Sequence, residues 1–156
     1  MLTPPRRDCR YQAAIVEDGD VLLLRVRDPY SGRCFWLIPG GGREGSEGEE
    51  DCVVREVREE THLDVEVLRL LWEEPVTGDA TYQRTKTYLC RPVGGVALPG
   101  SEPELGEHEH HVIEDLAWFP LDRPELWGAE VDEDPITSSN LARLRAALSG
   151  TPLLPD

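Results

Sequence analysis

Lysine is almost missing from this chain. Lys86 is the only one, and every other member of its 16 basic residues is an arginine. Positive charge of any kind is scarce: 31 Asp and Glu face 16 Lys and Arg over 156 residues, a formal net charge of −15. So acidic a surface excludes unaided binding to a nucleic-acid backbone or an anionic bilayer, where affinity comes from basic side chains displacing counterions. Long apolar runs are also missing. No stretch approaches the ~20 residues a spanning helix needs, and Met1 to Arg7 hold no apolar segment of the kind that opens a secretory signal. The expectation is a cytoplasmic protein with no membrane and no nucleic-acid partner. Cys9, Cys34, Cys52 and Cys90 form no C-x-x-C pair, so reduced thiols in or near the core are expected rather than a zinc site or a disulfide framework. Arginine in place of lysine suits bidentate phosphate binding, but genomic base composition produces the same bias, and no role is assigned to it.

What is present is one domain's worth of alternating elements, 1–156. Residues 10–16 read as a strand, and Asp18-Gly19 is a strong hairpin signal before the return strand Val21 to Arg27. Phe35 to Ile38 is a short apolar strand stopped by Pro39 and three glycines. Residues 47–61 have a helical pattern. Leu63 to Trp72, Tyr82 to Val93 and Val112 to Phe119 read as strands, with a turn at Thr77-Gly78-Asp79 and a polar loop over 98–111. Ser138 or Ser139 is expected to cap a last helix that carries Leu141, Leu144 and Leu148 on one side, with Gly150 past its end. Strands and helices in this order predict a mixed α+β domain.

The chemistry is concentrated between Pro39 and Leu63, in the run PGGGREGSEGEEDCVVREVREETHL. Consecutive glycines after a strand allow close backbone approach or positive φ. In the helix that follows, Glu56, Glu59 and Glu60 stand at i, i+3 and i+4 and so share one face. Val53, Val54 and Val57 cover a neighbouring arc, which predicts a helix buried on one side with its acids at the other. Like charges so placed repel, and they suit hard divalent cations such as Mg²⁺ or Mn²⁺. A solvated acidic face paired with Arg55 and Arg58 is the competing reading, and the residues alone leave the two open.

This run resembles the signature of the Nudix hydrolases: Gly, five residues, Glu, seven residues, then Arg-Glu-apolar-x-Glu-Glu-x-Gly-apolar. Gly41, Glu47, Arg55, Glu56, Val57, Glu59, Glu60 and Leu63 match, eight of nine specified positions in the signature 41–63. His62 replaces the remaining Gly. The resemblance implies an α/β/α sandwich around a mixed β-sheet. It implies a Mg²⁺- or Mn²⁺-dependent pyrophosphohydrolase that cleaves a phosphoanhydride of a nucleoside triphosphate or related nucleoside diphosphate derivative by water attack at phosphorus. The implied metal ligands are Glu56, Glu59 and Glu60, a backbone carbonyl at Gly40, and Glu44 toward a second metal. Glu56 and Glu59 are also the implied catalytic acids, oriented by Arg55, with Glu47 placed to pair with Arg55. The proton acceptor is either a signature Glu or a group from the loop that holds Glu102, Glu104, Glu107, Glu109, His108, His110 and His111. His62 is expected to end the helix in the left-handed conformation, which His tolerates better than most residues.

Substrate recognition is less legible. Arg25 and Arg27 share one strand face and suit phosphate binding; ion pairing with nearby acids is the other reading. Tyr30, Phe35, Trp36, Trp72 and Tyr82 can stack a base or fill the core. Pro75 falls short of the spacing of the family's ADP-ribose marker, and Tyr82 loosely matches the marker for dinucleoside polyphosphates. The implied partner is a small phosphorylated nucleotide, with monomer and homodimer both open. A non-catalytic Nudix-like domain that senses a nucleotide or binds a protein is the alternative; such domains usually lose signature acids, and here all are present.

Overall fold

The computed structural model describes residues 7–76, 82–100 and 112–149. Strands β1 (Arg7–Glu17) and β2 (Asp20–Arg27) form the expected hairpin, with Val16 opposite Val21 and Glu17 opposite Asp20. Its turn residues Asp18 and Gly19 both have positive φ, 52° and 84°, the geometry that matches strand twist and that Asp-Gly adopts readily. Then come β3 (Cys34–Leu37), a two-residue β4 (Gly40–Gly41) and helix α1 (Glu49–Thr61). Strands β5 (Leu63–Pro75), β6 (Tyr82–Gly95) and β7 (Val112–Pro120) follow. After a 3₁₀ turn at Pro124–Leu126, the short α2 (Ala129–Asp132) and α3 (Pro135–Ser149) end the described chain.

The sheet runs β3-β2-β1-β6-β5, with β4 added on β1 and β7 on β2. It is mixed because β1 pairs with β6 in parallel, Cys9 to Ile15 against Arg84 to Cys90, while the other pairings are antiparallel. Strand β1 is covered on both faces, and its period of two sorts its side chains between two cores. Cys9, Tyr11, Ala13 and Ile15 pack with Cys52, Val53 and Val57 of α1. Ala14 and Val16 pack with Leu141, Leu144 and Leu148 of α3. The result is a layer of helix on each side of a mixed sheet, the α/β/α arrangement that the resemblance implies.

Helix α3 begins earlier than expected. Its cap is Asp134, whose Oδ1 accepts the N–H groups of Ile136 (3.0 Å) and Thr137 (3.3 Å), and Pro135 occupies the first turn. Asp followed by Pro satisfies two rules at once, an oxygen for the free N–H groups and a residue that lacks one. Ser138 lies inside the helix and donates its hydroxyl to the Asp134 carbonyl (2.8 Å). Thr137 Oγ1 donates to the Trp36 carbonyl (2.7 Å), tying α3 to β3. No helix among the described residues is long and apolar enough to cross a membrane. The Thr77-Gly78-Asp79 turn and residues 101–111 lie outside the described residues.

Candidate active site

The site is assembled where β4 meets α1. Three consecutive glycines sit here, and close contact is the reason at two of them. A Cβ on Gly40 would lie 2.3 Å from the Tyr11 carbonyl oxygen of the paired strand, and one on Gly41 would lie 2.4 Å from the Glu56 carboxylate. Neither glycine has positive φ, so of the two reasons for a glycine run, close approach is the one that operates.

Helix α1 turns two of its three acids inward. Glu56 is 2% exposed and Glu60 0%, and Glu59 is half-buried. This corrects the expectation of a helix with all its acids on the open side. Burial of carboxylates is tolerated only with donors nearby, and the neighbours supply them. Glu60 Oε1 accepts the Gly40 N–H at 2.8 Å. Glu56 Oε1 accepts Arg55 Nη1 at 3.0 Å.

Arg55 is the hub. Its Nε and Nη2 reach Glu47 at 2.8 to 3.2 Å, its Nη1 reaches both Glu59 oxygens at 3.1 and 3.2 Å, and its Nη2 donates to the Gly42 carbonyl at 3.0 Å. The Glu44 carboxylate stands at the rim, 3.6 Å from Nη1, and the Glu44 N–H donates to Glu47 Oε1 (3.0 Å). A planar guanidinium with five donors can hold this many acceptors at once; an ammonium cannot. The structure thus brings Gly40, Glu44, Glu47, Arg55, Glu56, Glu59 and Glu60 together.

The donor set is all oxygen: three glutamates on α1, Glu44 at the rim, and the peptide carbonyls of a loop without side chains. That chemistry fits a hard divalent cation. Among the described residues no three acidic, His or Cys side chains already converge as ligands. Arg55 engages Glu56 and Glu59, and the Gly40 amide engages Glu60.

The end of α1 is pinned. His62 takes the left-handed conformation (φ 63°), as expected, and its N–H donates to the Arg58 carbonyl. The segment after β6 then crosses the helix terminus. Leu98 N–H donates to the Thr61 carbonyl (2.9 Å), Gly100 N–H donates to the Glu60 carbonyl (2.8 Å), and His62 Nδ1 bonds the Leu98 carbonyl (3.0 Å). The polar loop therefore starts beside Glu59 and Glu60. Its Glu102, Glu104, Glu107, Glu109, His108, His110 and His111 lie outside the described residues.

The structure does not bring Arg25 and Arg27 into this cluster. Arg25 donates to Glu130 (2.6 and 3.0 Å) and Glu114 (2.9 Å), and Arg27 pairs with Glu114. These bonds clamp α2 and β7 onto β2, the ion-pair reading of the two arginines. Trp36 is core, edge-on to Phe119 and hydrogen-bonded to Glu130. Trp72 is covered by Arg143, 4.1 Å over its ring, and Tyr30 is 77% exposed.

Two pockets flank the glycine loop, and both were missed at the level of sequence. On the α3 side a narrow one is lined by Arg10, Gln12, Trp36, Ile38, Thr137 and Asn140, among others. On the α1 side a pocket of about 350 Å³ is lined by Asp8, Cys9, Tyr11, Gly42, Arg43 and Gly45. Only contacts between strands distant in the chain create either one.

Charge pairing around α1 sets a pH dependence. Arg55 holds Glu47 below the usual carboxylate value of 4.5, and Lys86, helped by the Tyr88 hydroxyl, does the same for Glu49. A carboxyl lowered in the folded state contributes stability that is full above its unfolded value and lost as pH falls below it. Tm is therefore expected to hold steady above about pH 5 and to decline below about pH 4.5. Glu47→Gln should flatten part of that decline. An identical acid limb in the variant would remove Glu47 from the account.

A model of the NUDIX domain matches residues 10–139, so the chain belongs to the Nudix family. A MutT-like protein of Streptomyces ambofaciens is 35% identical over 107 residues, 64% of this chain and 62% of that protein. An ADP-ribose pyrophosphatase of Methanocaldococcus jannaschii is 32% identical over 96 residues, 60% of this chain and 56% of that one. The chain thus spans less than two thirds of the length of these curated relatives. Among solved structures, a MutT Nudix hydrolase from Burkholderia pseudomallei superposes with a TM-score of 0.61 at 27% identity, covering 90% of this chain and 99% of that one.

Proposed function

We propose that this chain is a divalent-metal-dependent pyrophosphohydrolase of a nucleoside triphosphate or related nucleoside diphosphate derivative. The observation that carries the reading is the Arg55 hub, which holds Glu47, Glu56 and Glu59 against the glycine loop. Glu56, Glu59 and Glu60, with Glu44 and a carbonyl at Gly40, are the residues that would hold Mg²⁺ or Mn²⁺. A bound divalent ion supplies charge neutralisation at phosphate oxygens and a lower pKa for water. The protein's own residues do the rest. Gly40 and Gly41, having no side chain, let the β1 backbone and the Glu56 carboxylate approach the loop closely. Arg55 fixes the rotamers of Glu56 and Glu59, and Glu59, the more exposed of the pair, is the carboxylate able to take a proton from water. The names of the relatives, MutT-like and ADP-ribose pyrophosphatase, support the reaction class and leave the substrate open.

The test is a Mg²⁺-dependent hydrolysis screen over nucleoside triphosphates, oxidised nucleotides, ADP-ribose, nucleotide sugars and dinucleoside polyphosphates. The expected result is a nucleoside monophosphate with its complementary phosphate product from at least one of them. Clustered carboxylates also predict that millimolar Mg²⁺ raises Tm more than NaCl of matched ionic strength. Nucleotide binding in Mg²⁺ with no product after long incubation would overturn hydrolysis in favour of a sensing domain.

A further inference from the structure

His62 stands where the signature calls for glycine, and it holds a left-handed φ of 63°. Glycine takes that conformation without strain, whereas a side chain there costs stability. The imidazole makes a contact that offsets the cost. Its Nδ1 lies 3.0 Å from the Leu98 carbonyl oxygen. A carbonyl only accepts, so Nδ1 carries the proton and donates, and Nε2 is left as the acceptor nitrogen of an exposed ring. Glycine has no atom to make this bond.

The bond closes on a strap, residues 96–100, that leaves β6 at Gly95 and crosses the last turn of α1. Two glycines fit it there. Gly95 has a φ of 84°, and a Cβ on it would lie 2.4 Å from the His62 carbonyl oxygen. A Cβ on Gly100 would lie 1.9 Å from the Glu59 carbonyl oxygen. The end of a helix leaves its last four carbonyls without intrahelical donors. The strap serves two of them, with Leu98 N–H on Thr61 and Gly100 N–H on Glu60. Side-chain burial adds little hold. Val96 and Leu98 are 70% and 54% exposed, while Ala97 packs against the core. Hydrogen bonds therefore hold the strap, two from its own backbone and one from the imidazole.

The turn beneath the strap is the one that carries Glu59 and Glu60. Gly100 N–H holds the Glu60 carbonyl on one side of it, and Gly40 N–H holds Glu60 Oε1 on the other. A last helical turn frays when its carbonyls lack donors. Fraying here would carry both carboxylates away from Glu56.

We propose that His62 is a positioning residue: its Nδ1–H clasps the 96–100 strap to the end of α1 and so keeps Glu59 and Glu60 in place for the divalent ion. The metal-binding role rests on the hydrolysis reading, and the clasp itself does not.

Three variants separate a clasp from a plain helix terminator. His62→Gly removes the clasp and the strain, and His62→Ala removes the clasp alone. His62→Asn tolerates the left-handed region and carries an amide nitrogen two bonds past Cβ, as Nδ1 is. Amide hydrogen exchange is read by NMR at Leu98 and Gly100 in the metal-free chain, and Mg²⁺ is titrated calorimetrically into each protein. Exchange at both amides is expected to quicken about five-fold or more in the Gly and Ala variants, the size of one lost hydrogen bond, and to return to near wild type in Asn. The Kd for Mg²⁺ should rise about three-fold or more in Gly and Ala and recover in Asn. At limiting Mg²⁺, kcat should fall with it, while KM for the nucleotide stays within about two-fold. Tm should barely move in Gly, because relieved strain offsets the lost bond, and should drop in Ala. Wild-type exchange in His62→Gly, or no recovery in His62→Asn, would overturn the clasp. Faster exchange with unchanged Mg²⁺ affinity would overturn the positioning role. Weaker Mg²⁺ binding that Asn restores, in a protein that cleaves no nucleotide of the screen, would sink hydrolysis and keep the clasp.

Discussion

Glu59→Gln is expected to lower turnover by about 10²- to 10⁴-fold, the range of a positioned proton-transfer group, while the fold persists. The substitution keeps the side chain's size and removes its charge. The lost quantities are the carboxylate donor and its capacity to take a proton. Both Glu59 oxygens lie within hydrogen-bond distance of Arg55 Nη1, and a Gln carbonyl preserves one such bond. Circular dichroism and metal-free Tm should therefore stay close to wild type. The Mg²⁺-induced rise in Tm should shrink, because one of the three helical carboxylates no longer carries charge. Turnover near wild type would remove Glu59 from the machinery, whatever the other acids do.

Arg55→Ala should have the largest effect on stability. The variant strands Glu47, Glu56 and Glu59 beside one another, and Glu56 is almost fully buried. Removing one partner of a buried ion pair costs about 3 kcal/mol or more at neutral pH, because the remaining charge stays desolvated. Arg55→Lys should recover only a fraction. An ammonium cannot span Glu47, Glu56, Glu59 and the Gly42 carbonyl, which the guanidinium reaches from three nitrogens. Urea denaturation at pH 7 measures the loss. Repeating it near pH 4 should narrow the gap, since protonated carboxyls no longer repel. Saturating Mg²⁺ should narrow it as well. A loss under about 1 kcal/mol, the scale of an exposed pair, would show that the acids are solvated rather than held by Arg55.

Much of this was legible in the chain. Asp18-Gly19 marks its hairpin because both positions need positive φ, and the residues that tolerate it are few. The signature residues from Gly41 to Leu63 sit within one loop and one helix, so their spacing alone brings them near one another. His62 was readable as the helix end because it fills a position that calls for the left-handed region. Asp134-Pro135 carries a stronger start signal than the expected Ser138 or Ser139, because Pro suits the first helical position.

Other features had no local trace. The parallel pairing of β1 with β6 joins segments some 75 residues apart, and nothing in either strand names its partner. Helical periodicity groups Glu56, Glu59 and Glu60 but does not say which way the group faces. The direction is set by β4, whose glycines let α1 lie close enough to bury Glu56 and Glu60. Arg25 and Arg27 share a face by strand alternation, and the acids that claim them, Glu114 and Glu130, come from β7 and α2.

By itself the sequence determined the elements, the family and the set of acids, because short-range spacing controls each of them. The tertiary structure alone decided which acids are buried, which arginine gathers them, and which arginines are already engaged. Those outcomes depend on desolvation and on partners brought from distant strands. The net charge of −15 is a property of composition, and the run of acids from Glu44 to Glu60 is a property of the sequence; the burial of Glu56 and Glu60 within that run is a property of the fold.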